Sequence, residues 1–166
     1  MKLNLAQLND LPIIMTMLQA VKQQLKHQQL LIWDEFYPSV DNIKADITEN
    51  NAYVLQNEQE MIGYIALDTD EYIMQFFPKH KTTVSFARVM IDPKYQHKGY
   101  GKQLIALSIQ QIRSLGYQAI GILVSSENVV AIALYESFGF CFLNHKVFSW
   151  GEMALYYLEL SPCKNG

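Results

Sequence analysis

The residues best suited to chemistry lie between positions 96 and 102, in the run Gln-His-Lys-Gly-Tyr-Gly-Lys. Two glycines and two lysines stand there between an apolar run that ends at Ile91 and a helical pattern that starts near Lys102. The first N–H groups of a helix have no intrahelical acceptor, and the helix dipole adds partial positive charge beside them. A glycine-rich turn at such a helix start is typical of a phosphate cradle.

Two nucleotide-binding motifs do not fit this run. A P-loop, GxxxxGK followed by Ser or Thr, would need glycine where the chain has Gln96, and Gln103 follows Lys102. A dinucleotide fingerprint, GxGxxG, would need a third glycine where the chain has Leu104. The run therefore predicts an anion site of unspecified ligand, and a glycine-rich turn without a ligand is the alternative.

A strand and a helix must position the cradle. Residues 84–91 are apolar and β-branched and predict a strand, which Pro93 helps to end. The buried stripe of the following helix is expected at Ile105, Ile109 and Ile112, and Gly116 is placed to end that helix. Residues 119–124 predict a second apolar strand, and the crossover helix between the two strands makes them parallel.

The other elements follow from apolar periodicity and turn residues. In chain order they are a strand at 3–6, a helix at 11–28, a helix at about 40–50, a hairpin of strands at 52–56 and 61–67, a helix at 129–138, and strands at 140–147 and 153–160. Asp10, Ser39 and Asn128 are the expected helix N-caps. Residues 68–82 predict a loop with a short extended piece, a candidate substrate-access element.

Composition limits the class of protein. A chain of 166 residues, half of them hydrophobic and 17% charged, predicts one globular domain over residues 1–166. The net charge of −3 argues against nucleic-acid binding. No apolar run approaches the roughly 20 residues of a membrane span, and the N-terminus lacks a signal-peptide core, so we expect a cytoplasmic protein with no membrane association.

No metal site is expected. Cys141 and Cys163 form neither a CxxC nor another ligand spacing, and the four histidines share no ligand spacing. The thiols are expected to be buried or incidental.

The pattern Gln96-x-x-Gly99-x-Gly101, placed after an apolar strand, resembles motif A of the GCN5-related N-acetyltransferases. Residues 128–140, NVVAIALYESFGF, are similar to motif B of that superfamily as it occurs in ribosomal-protein alanine acetyltransferases. The resemblance implies an α/β (mixed α+β) fold. In that fold a central mixed, mostly antiparallel sheet contains two splayed parallel strands and is flanked by about four helices.

The same resemblance implies acetyl-CoA as the cofactor and assigns residues to it by motif position. Backbone groups of Val89, Met90 and Ile91 would meet the pantetheine arm and the acetyl carbonyl. The pyrophosphate would lie on the cradle, formed by Gln96, His97, Lys98, Gly99, Tyr100, Gly101 and Lys102. Asn128 would contact the cofactor arm, Ala131 would leave room for it, and Tyr135 would stand near the sulfur.

Acetyl transfer from a thioester to an amine needs a neutral amine, oxyanion stabilisation and a proton for the departing thiolate. A backbone N–H at Met90 or Ile91 is the expected oxyanion donor, and Tyr135 is the expected general acid. A phenol with a pKa of about 10 donates uphill to a thiolate whose thiol has a pKa near 8.5, so the share of Tyr135 is modest and positional. Packing of this ring on the helix face is the alternative.

The two positions at which the family carries a basic glutamate hold other residues. Leu123 stands five residues before Asn128, where the ribosomal-protein enzymes have one glutamate, and Ser85 stands eleven before Gln96, where the histone-type branch has another. These departures put protein N-terminal acetylation in doubt. Asp34, Glu35 or Glu71 are the candidates to help deprotonate the acceptor, directly or through water; Glu136 lies off the Tyr135 face.

Acceptor recognition is expected first in residues 30–38, where three aromatic and two acidic residues precede a proline. Trp33, Asp34 and Glu35 would bind a cationic amine by charge and cation–π attraction. Anchoring of the aromatic side chains on the core is the alternative, and both roles are compatible. Tyr72 is a further acceptor-side candidate, and Arg88 would pair with an acceptor carboxylate or with an acid of the protein.

We therefore expect an acetyl-CoA-dependent N-acetyltransferase, an acyltransferase that serves the primary amine of a small molecule or peptide by direct attack. The enzyme alternatives are a protein N-terminal acetyltransferase and a longer-chain acyl-CoA transferase. The non-enzyme alternative is a CoA-binding sensor. A homodimer stays open beside a monomer.

Overall fold

The computed structural model describes residues 1–161 of the chain, and within them seven strands form a sheet of order β1-β2-β3-β4-β5-β7-β6. The strands are β1 (Lys2–Leu5), β2 (Ala52–Gln56), β3 (Met61–Asp68), β4 (Thr83–Ile91), β5 (Ala119–Ser125), β6 (Cys141–Phe148) and β7 (Gly151–Glu159). The α-helices of the described part are α1 (Leu11–His27), α2 (Val40–Thr48), α3 (Glu71–Met74), α4 (Tyr100–Ser114) and α5 (Val129–Ser137). This is the mixed α/β architecture that was expected.

Side-chain capping explains where two of the helices begin. The Ser39 hydroxyl accepts the Asn42 N–H at 3.2 Å at the start of α2, and Asn128 Oδ1 accepts the Ala131 N–H at 3.2 Å at the start of α5. Both predicted caps are confirmed. Asp10 occupies the N-cap position of α1, as predicted, but its side chain does not cap that helix. Its carboxylate accepts the Gln7 N–H at 2.8 Å and closes a 3-10 turn that precedes α1.

The described residues group into two compact units, of which the first comprises Met1–Leu67 with Ala87–Ser108. Here β1, β2 and β3 pair in antiparallel fashion. The core of this unit includes Ile14, Leu18, Ile43, Val54 and Tyr64, each at most 1% exposed. Burial of one such aliphatic side chain contributes about 1.5–3 kcal/mol, so the apolar stripes of α1 and α2 account for much of the stability of this unit.

The second unit comprises Asp68–Phe86 with residues 109–161. In it β4 pairs with β5 in parallel, Thr83 opposite Ala119 and Val84 opposite Ile120, which confirms the predicted parallel pair. β7 is antiparallel to both β5 and β6. The ring of Phe77 lies flat on Gly121, where a Cβ would come within 2.5 Å of it, so this strand position requires glycine.

One sequence expectation, for residues 68–82, needs correction. Residues 68–82 hold the one-turn helix α3, capped by Asp70, which accepts the Tyr72 N–H at 2.8 Å, and not the extended piece that was predicted. Four residues are too few to show helical periodicity, which explains why the sequence pattern did not predict α3. The thiol of Cys141 is exposed, and Cys163 lies outside the described residues. No helix within residues 1–161 has the length and apolar character needed to cross a bilayer.

Candidate active site

The cradle follows β4 through a 3-10 turn at Pro93–Tyr95. His97 and Gly99 both have left-handed backbone conformations, with φ of 62° and 84°. Gln103 N–H donates to the Gly99 carbonyl at 3.3 Å as the first bond of α4. The N–H groups of residues 100–102 precede that bond and have no acceptor within the helix. Left-handed turns ahead of a helix start form a concavity of backbone N–H groups that favours an anion.

The cradle is open and positively charged. The side chains of His97, Lys98 and Lys102 are exposed, and a Cβ on Gly99 would meet no atom within 4 Å. The Nζ atom of Lys98 lies 5.8 Å from the ring centroid of Tyr95, which holds this cation beside the turn. A diphosphate therefore fits the site in charge, donor type and access.

The amide of Gln96 is engaged inside the first unit. It exchanges hydrogen bonds with the amide of Gln24 on α1, at 2.7 and 2.9 Å, and donates to the Ile91 carbonyl at 3.1 Å. The side chain thus fixes the entry of the cradle onto α1, and the Gln96 N–H donates to the Pro93 carbonyl at 3.3 Å, so Gln96 shapes the entry of the cradle without offering that N–H to a ligand. Sequence reasoning missed Gln24, because nothing local distinguishes it from the neighbouring Gln23.

Tyr135 is buried in the second unit, with its ring centroid 6.4 Å from that of Phe86 and 5.7 Å from that of Phe140. Burial raises the pKa of its hydroxyl well above the ordinary value near 10, and no hydrogen bond contributes to the shift. The phenol therefore keeps its proton at neutral pH. Ala131, one turn earlier on α5, is half-buried.

Glu136, the neighbour of Tyr135, accepts a hydrogen bond from the Tyr156 hydroxyl at 2.7 Å. Burial, and after it this hydrogen bond, raise the pKa of Tyr156 to about 12. The carboxylate of Glu136 is therefore committed to a neutral phenol on β7. No motif in the sequence pointed to Tyr156.

The two positions that hold the family glutamates offer no base. Leu123 is half-buried and packs against the cluster of Phe77, Ala119, Leu155 and Tyr157. Ser85 is 3% exposed, and its hydroxyl donates to the Phe86 carbonyl at 3.1 Å. An aliphatic side chain and a bonded hydroxyl cannot accept the proton of an ammonium at neutral pH.

Some of the acidic and aromatic residues before Pro38 pack on the core or form a turn, and others are exposed. Trp33 packs against the core of the first unit, which confirms the anchoring alternative for this ring, whereas Phe36 is 77% exposed. Asp34 Oδ1 accepts the N–H groups of Phe36 and Tyr37 at 2.8 and 2.7 Å, so this carboxylate forms a turn. Glu35 is exposed beside it.

Arg88 is paired within the first unit. Its Nε and Nη2 donate to the two carboxylate oxygens of Asp46 on α2, and Nη1 donates to the Tyr37 hydroxyl at 3.1 Å. Burial alone would lower the pKa of Arg88, but the hydrogen bonds and charge of Asp46 raise it above its ordinary value. Of the two partners expected for Arg88, an acceptor carboxylate or an acid of the protein, the structure shows the acid of the protein. Asp46 had a signal in the sequence, since it follows Ile43 by three positions on the buried stripe of α2.

Tyr72 begins a row of aromatic rings in the second unit. Ring centroids lie 5.5 Å apart between Tyr72 and Phe76, 5.4 Å between Phe76 and Phe148, and 4.5 Å between Phe148 and Trp150. The Nζ atom of Lys146 stands 5.0 Å over the ring of Phe76. The row already holds one cation by cation–π attraction.

Comparison with known proteins identifies the family. The profile of the Acetyltransferase (GNAT) family matches residues 16–140, which span both motifs and the cradle. The chain belongs to the GNAT family.

Curated GNAT relatives match parts of the chain. The [ribosomal protein bS18]-alanine N-acetyltransferase of Escherichia coli K12 is 38% identical over 52 residues, 31% of this chain and 35% of that protein. The N-acetyltransferase YvbK of Bacillus subtilis is 26% identical over 104 residues, 62% of this chain and 61% of that protein. The chain thus spans about a third of the length of the first of these relatives.

Solved GNAT structures share the fold. An acetyltransferase of Streptococcus agalactiae superposes with a TM-score of 0.83 at 16% identity, covering 96% of this chain and 95% of that one. The acetyltransferase yncA of Salmonella typhimurium, solved with acetyl-CoA, superposes with a TM-score of 0.73 at 21% identity, covering 100% and 97%. At these identities the likeness concerns the GNAT fold.

Proposed function

We propose that this GNAT protein is an acetyl-CoA-dependent N-acetyltransferase that serves a primary amine of a small molecule or peptide. The observation that carries the proposal is the cradle at the start of α4, where left-handed residues, free N–H groups and exposed lysines are assembled for a diphosphate. The family match and the acetyl-CoA bound to yncA support acetyl-CoA as the diphosphate ligand.

Each half of the cofactor has its own set of residues in this proposal. Residues 97–102 hold the pyrophosphate, with Lys98 and Lys102 adding charge. Backbone groups of Val89, Met90 and Ile91 hold the pantetheine arm, and an N–H of Met90 or Ile91 donates to the acetyl carbonyl oxygen. Bound acetyl-CoA supplies the acetyl group as a thioester.

Tyr135 serves as the proton donor at its Oη atom. Its buried hydroxyl is neutral at working pH because burial raises its pKa. With ordinary pKa values, donation from a phenol to a thiolate is uphill by about 1.5 pKa units, or about 2 kcal/mol, and burial of the Tyr135 hydroxyl increases that difference. Enclosure of the sulfur beside the ring would raise the thiol pKa as well and reduce that difference.

The acceptor amine reaches the site with little help from a base. At pH 7 deprotonation of a lysine-like amine of pKa 10.4 requires roughly 4.6 kcal/mol, whereas deprotonation of an α-amine of pKa near 7.8 requires about 1 kcal/mol. Because Leu123 and Ser85 replace the glutamates, amines of low pKa are the better substrates. Glu35, with Asp34 next to it in the chain, supplies negative charge for a cationic acceptor. The aromatic row from Tyr72 is a separate candidate for acceptor binding by its ring faces. A curated relative is named for a ribosomal-protein alanine, and a solved structure that shares the fold is named for spermidine.

A second candidate function is a CoA-binding sensor without turnover. The absence of a glutamate at positions 85 and 123 favours it, because the cradle needs no base to bind CoA.

A thiol-release assay tests the proposal. Purified protein is given acetyl-CoA with a panel of amines that includes a peptide with a free N-terminal alanine, spermidine and a small primary amine of pKa below 8. We expect thiol release above the hydrolysis rate with at least one amine, and mass spectrometry should find that amine 42 Da heavier, the mass of an added acetyl group. Calorimetric binding of acetyl-CoA without turnover on any amine would establish the sensor, and absence of binding would refute both functions.

A further inference from the structure

Arg88 interrupts β4 with a backbone conformation that strand residues do not adopt. Its φ is +52°, in the left-handed region where a Cβ crowds the backbone and where glycine is the usual residue. Strain of this kind persists only where surrounding contacts enforce it. For Arg88 these contacts come from α2, from β3 and from the segment before α2, all within the first unit.

The enforcing contacts are buried and directional. Nε of Arg88 donates to Asp46 Oδ2 at 2.6 Å, and Nη2 donates to Asp46 Oδ1. The guanidinium and the carboxylate therefore form a bidentate pair. The Tyr64 hydroxyl, on a fully buried ring, donates to the same Oδ2 at 2.7 Å. Only 12% of the Arg88 side chain and 9% of the Asp46 side chain are exposed. These contacts hold the guanidinium in place and can offset the backbone strain at residue 88.

The strand after Arg88 is held against β3. Asp92 N–H donates to the Ile62 carbonyl at 2.9 Å. The Met90 carbonyl lies so close to Gly63 that a Cβ there would be 2.9 Å from it. With one end held by β3 and the other by Arg88, residues 89–91 have a defined orientation. A left-handed residue within a strand changes the direction in which all later N–H and C=O groups point.

We infer that the Asp46–Arg88 pair is a positioning device for the cofactor. It holds residue 88 in the left-handed conformation and so aims the backbone groups of Val89, Met90 and Ile91 at the pantetheine arm and acetyl carbonyl. The inference rests on the proposed function, which places these groups on acetyl-CoA. Arg88 acts through the backbone, without contact to acceptor or cofactor.

A matched pair of double variants tests the inference, Asp46→Asn/Arg88→Ala against Asp46→Asn/Arg88→Gly. Both remove the two buried charges together, so neither leaves an unpaired ion. Both leave the same space where the guanidinium was. They differ only in that glycine adopts a positive φ freely while alanine resists it.

The readouts are kcat and the dissociation constants of CoA and of ADP, with the thermal midpoint as a stability control. CoA carries the pantetheine arm and ADP does not, so ADP reports on the cradle alone. We expect the alanine variant to bind CoA about tenfold more weakly than wild type and the glycine variant to regain about fivefold of that loss. ADP affinity should stay within about twofold throughout.

Equal CoA affinity and equal kcat of the two variants would overturn the inference, since a guanidinium that binds ligand directly is lost in both. Proportional weakening of CoA and ADP would also overturn it, because it would show general loosening of the unit. If the double variants do not fold, Tyr64→Phe removes one hydrogen bond from Asp46. It should weaken CoA about threefold with ADP unchanged, and an unchanged ratio overturns the inference. Wild-type protein that binds neither ligand would refute the proposed function itself, and with it this inference.

Discussion

Tyr135 is the residue that we propose as the general acid. Its ring is enclosed by Phe86 and Phe140, and its hydroxyl has a pKa raised by burial. The raised pKa keeps the hydroxyl protonated into the alkaline range, as a proton donor requires.

Tyr135→Phe should lower kcat about tenfold and leave the acetyl-CoA dissociation constant within about twofold, because only proton donation is removed. Steady-state kinetics and calorimetry measure the two quantities. The matched control is Tyr156→Phe, which also removes a buried hydroxyl of raised pKa but one that is bonded to Glu136. An equal loss of kcat in both variants would mean that any buried hydroxyl of this unit matters, and would remove Tyr135 as the acid.

Glu35 and Asp34 are adjacent acids that differ in hydrogen bonding. Asp34 Oδ1 accepts two backbone N–H groups, whereas Glu35 is exposed. Glu35→Gln should therefore raise the KM of a cationic acceptor about fivefold with kcat little changed, as expected for the loss of one favourable charge. Asp34→Asn keeps an oxygen for the turn and should change KM by less than about twofold. Initial rates at several acceptor concentrations give KM for each variant, with Glu58→Gln as a distant control. Equal KM for all three variants would assign this segment to packing.

At the scale of elements, the cradle depends on where α4 begins. The helix starts at Tyr100, two residues before the position suggested by the sequence pattern, so Gly101 and Lys102 lie in its first turn. Gly99 precedes it with φ of 84°, and Gly116 follows the helix with φ of 89°. A Cβ at either glycine would meet open space. The two positions are thus alike in backbone strain and differ in their place on the helix.

Gly99→Ala and Gly116→Ala should each destabilise the fold by about 1 kcal/mol, because alanine resists the left-handed region. Only Gly99→Ala should weaken CoA binding, by about tenfold, since its methyl group and altered φ disturb the N–H groups that face the anion. Thermal unfolding and calorimetry with CoA give the two numbers. Unchanged CoA affinity in a folded Gly99→Ala protein would refute the cradle as the pyrophosphate site.

Features that depend on neighbouring residues in the chain could be predicted from the sequence. The caps by Ser39 and Asn128, the glycine at position 116 and the strand–turn–helix order around the cradle are all local patterns, and the structure has them. Pairs such as Gln24 with Gln96, 72 positions apart, and Asp46 with Arg88, 42 positions apart, depend on packing that no local pattern encodes. For that reason the sequence left the role of Arg88 open.

At the scale of the whole molecule, the protein has the family fold without the family glutamates. Leu123 packs against an apolar cluster, and the Ser85 hydroxyl is bonded to a backbone carbonyl. Under the proposed function, the acceptor amine then loses its proton mainly to solvent before it attacks. The pH dependence of the reaction should accordingly belong to the substrate and not to the enzyme.

The last prediction concerns how kcat/KM depends on pH. Log kcat/KM should rise with unit slope and level off at the pKa of the acceptor amine, near 7.8 for a peptide α-amine and near 10.4 for a lysine-like amine. No alkaline fall is expected below about pH 10, because burial raises the pKa of Tyr135 and the acid keeps its proton. Rate profiles from pH 6 to about 10 with two acceptors that differ chiefly in amine pKa test this. A common inflection for both acceptors would reveal a titrating base on the protein, for which Glu35→Gln and Glu71→Gln are the variants to examine, and would show that this fold has replaced the missing glutamates.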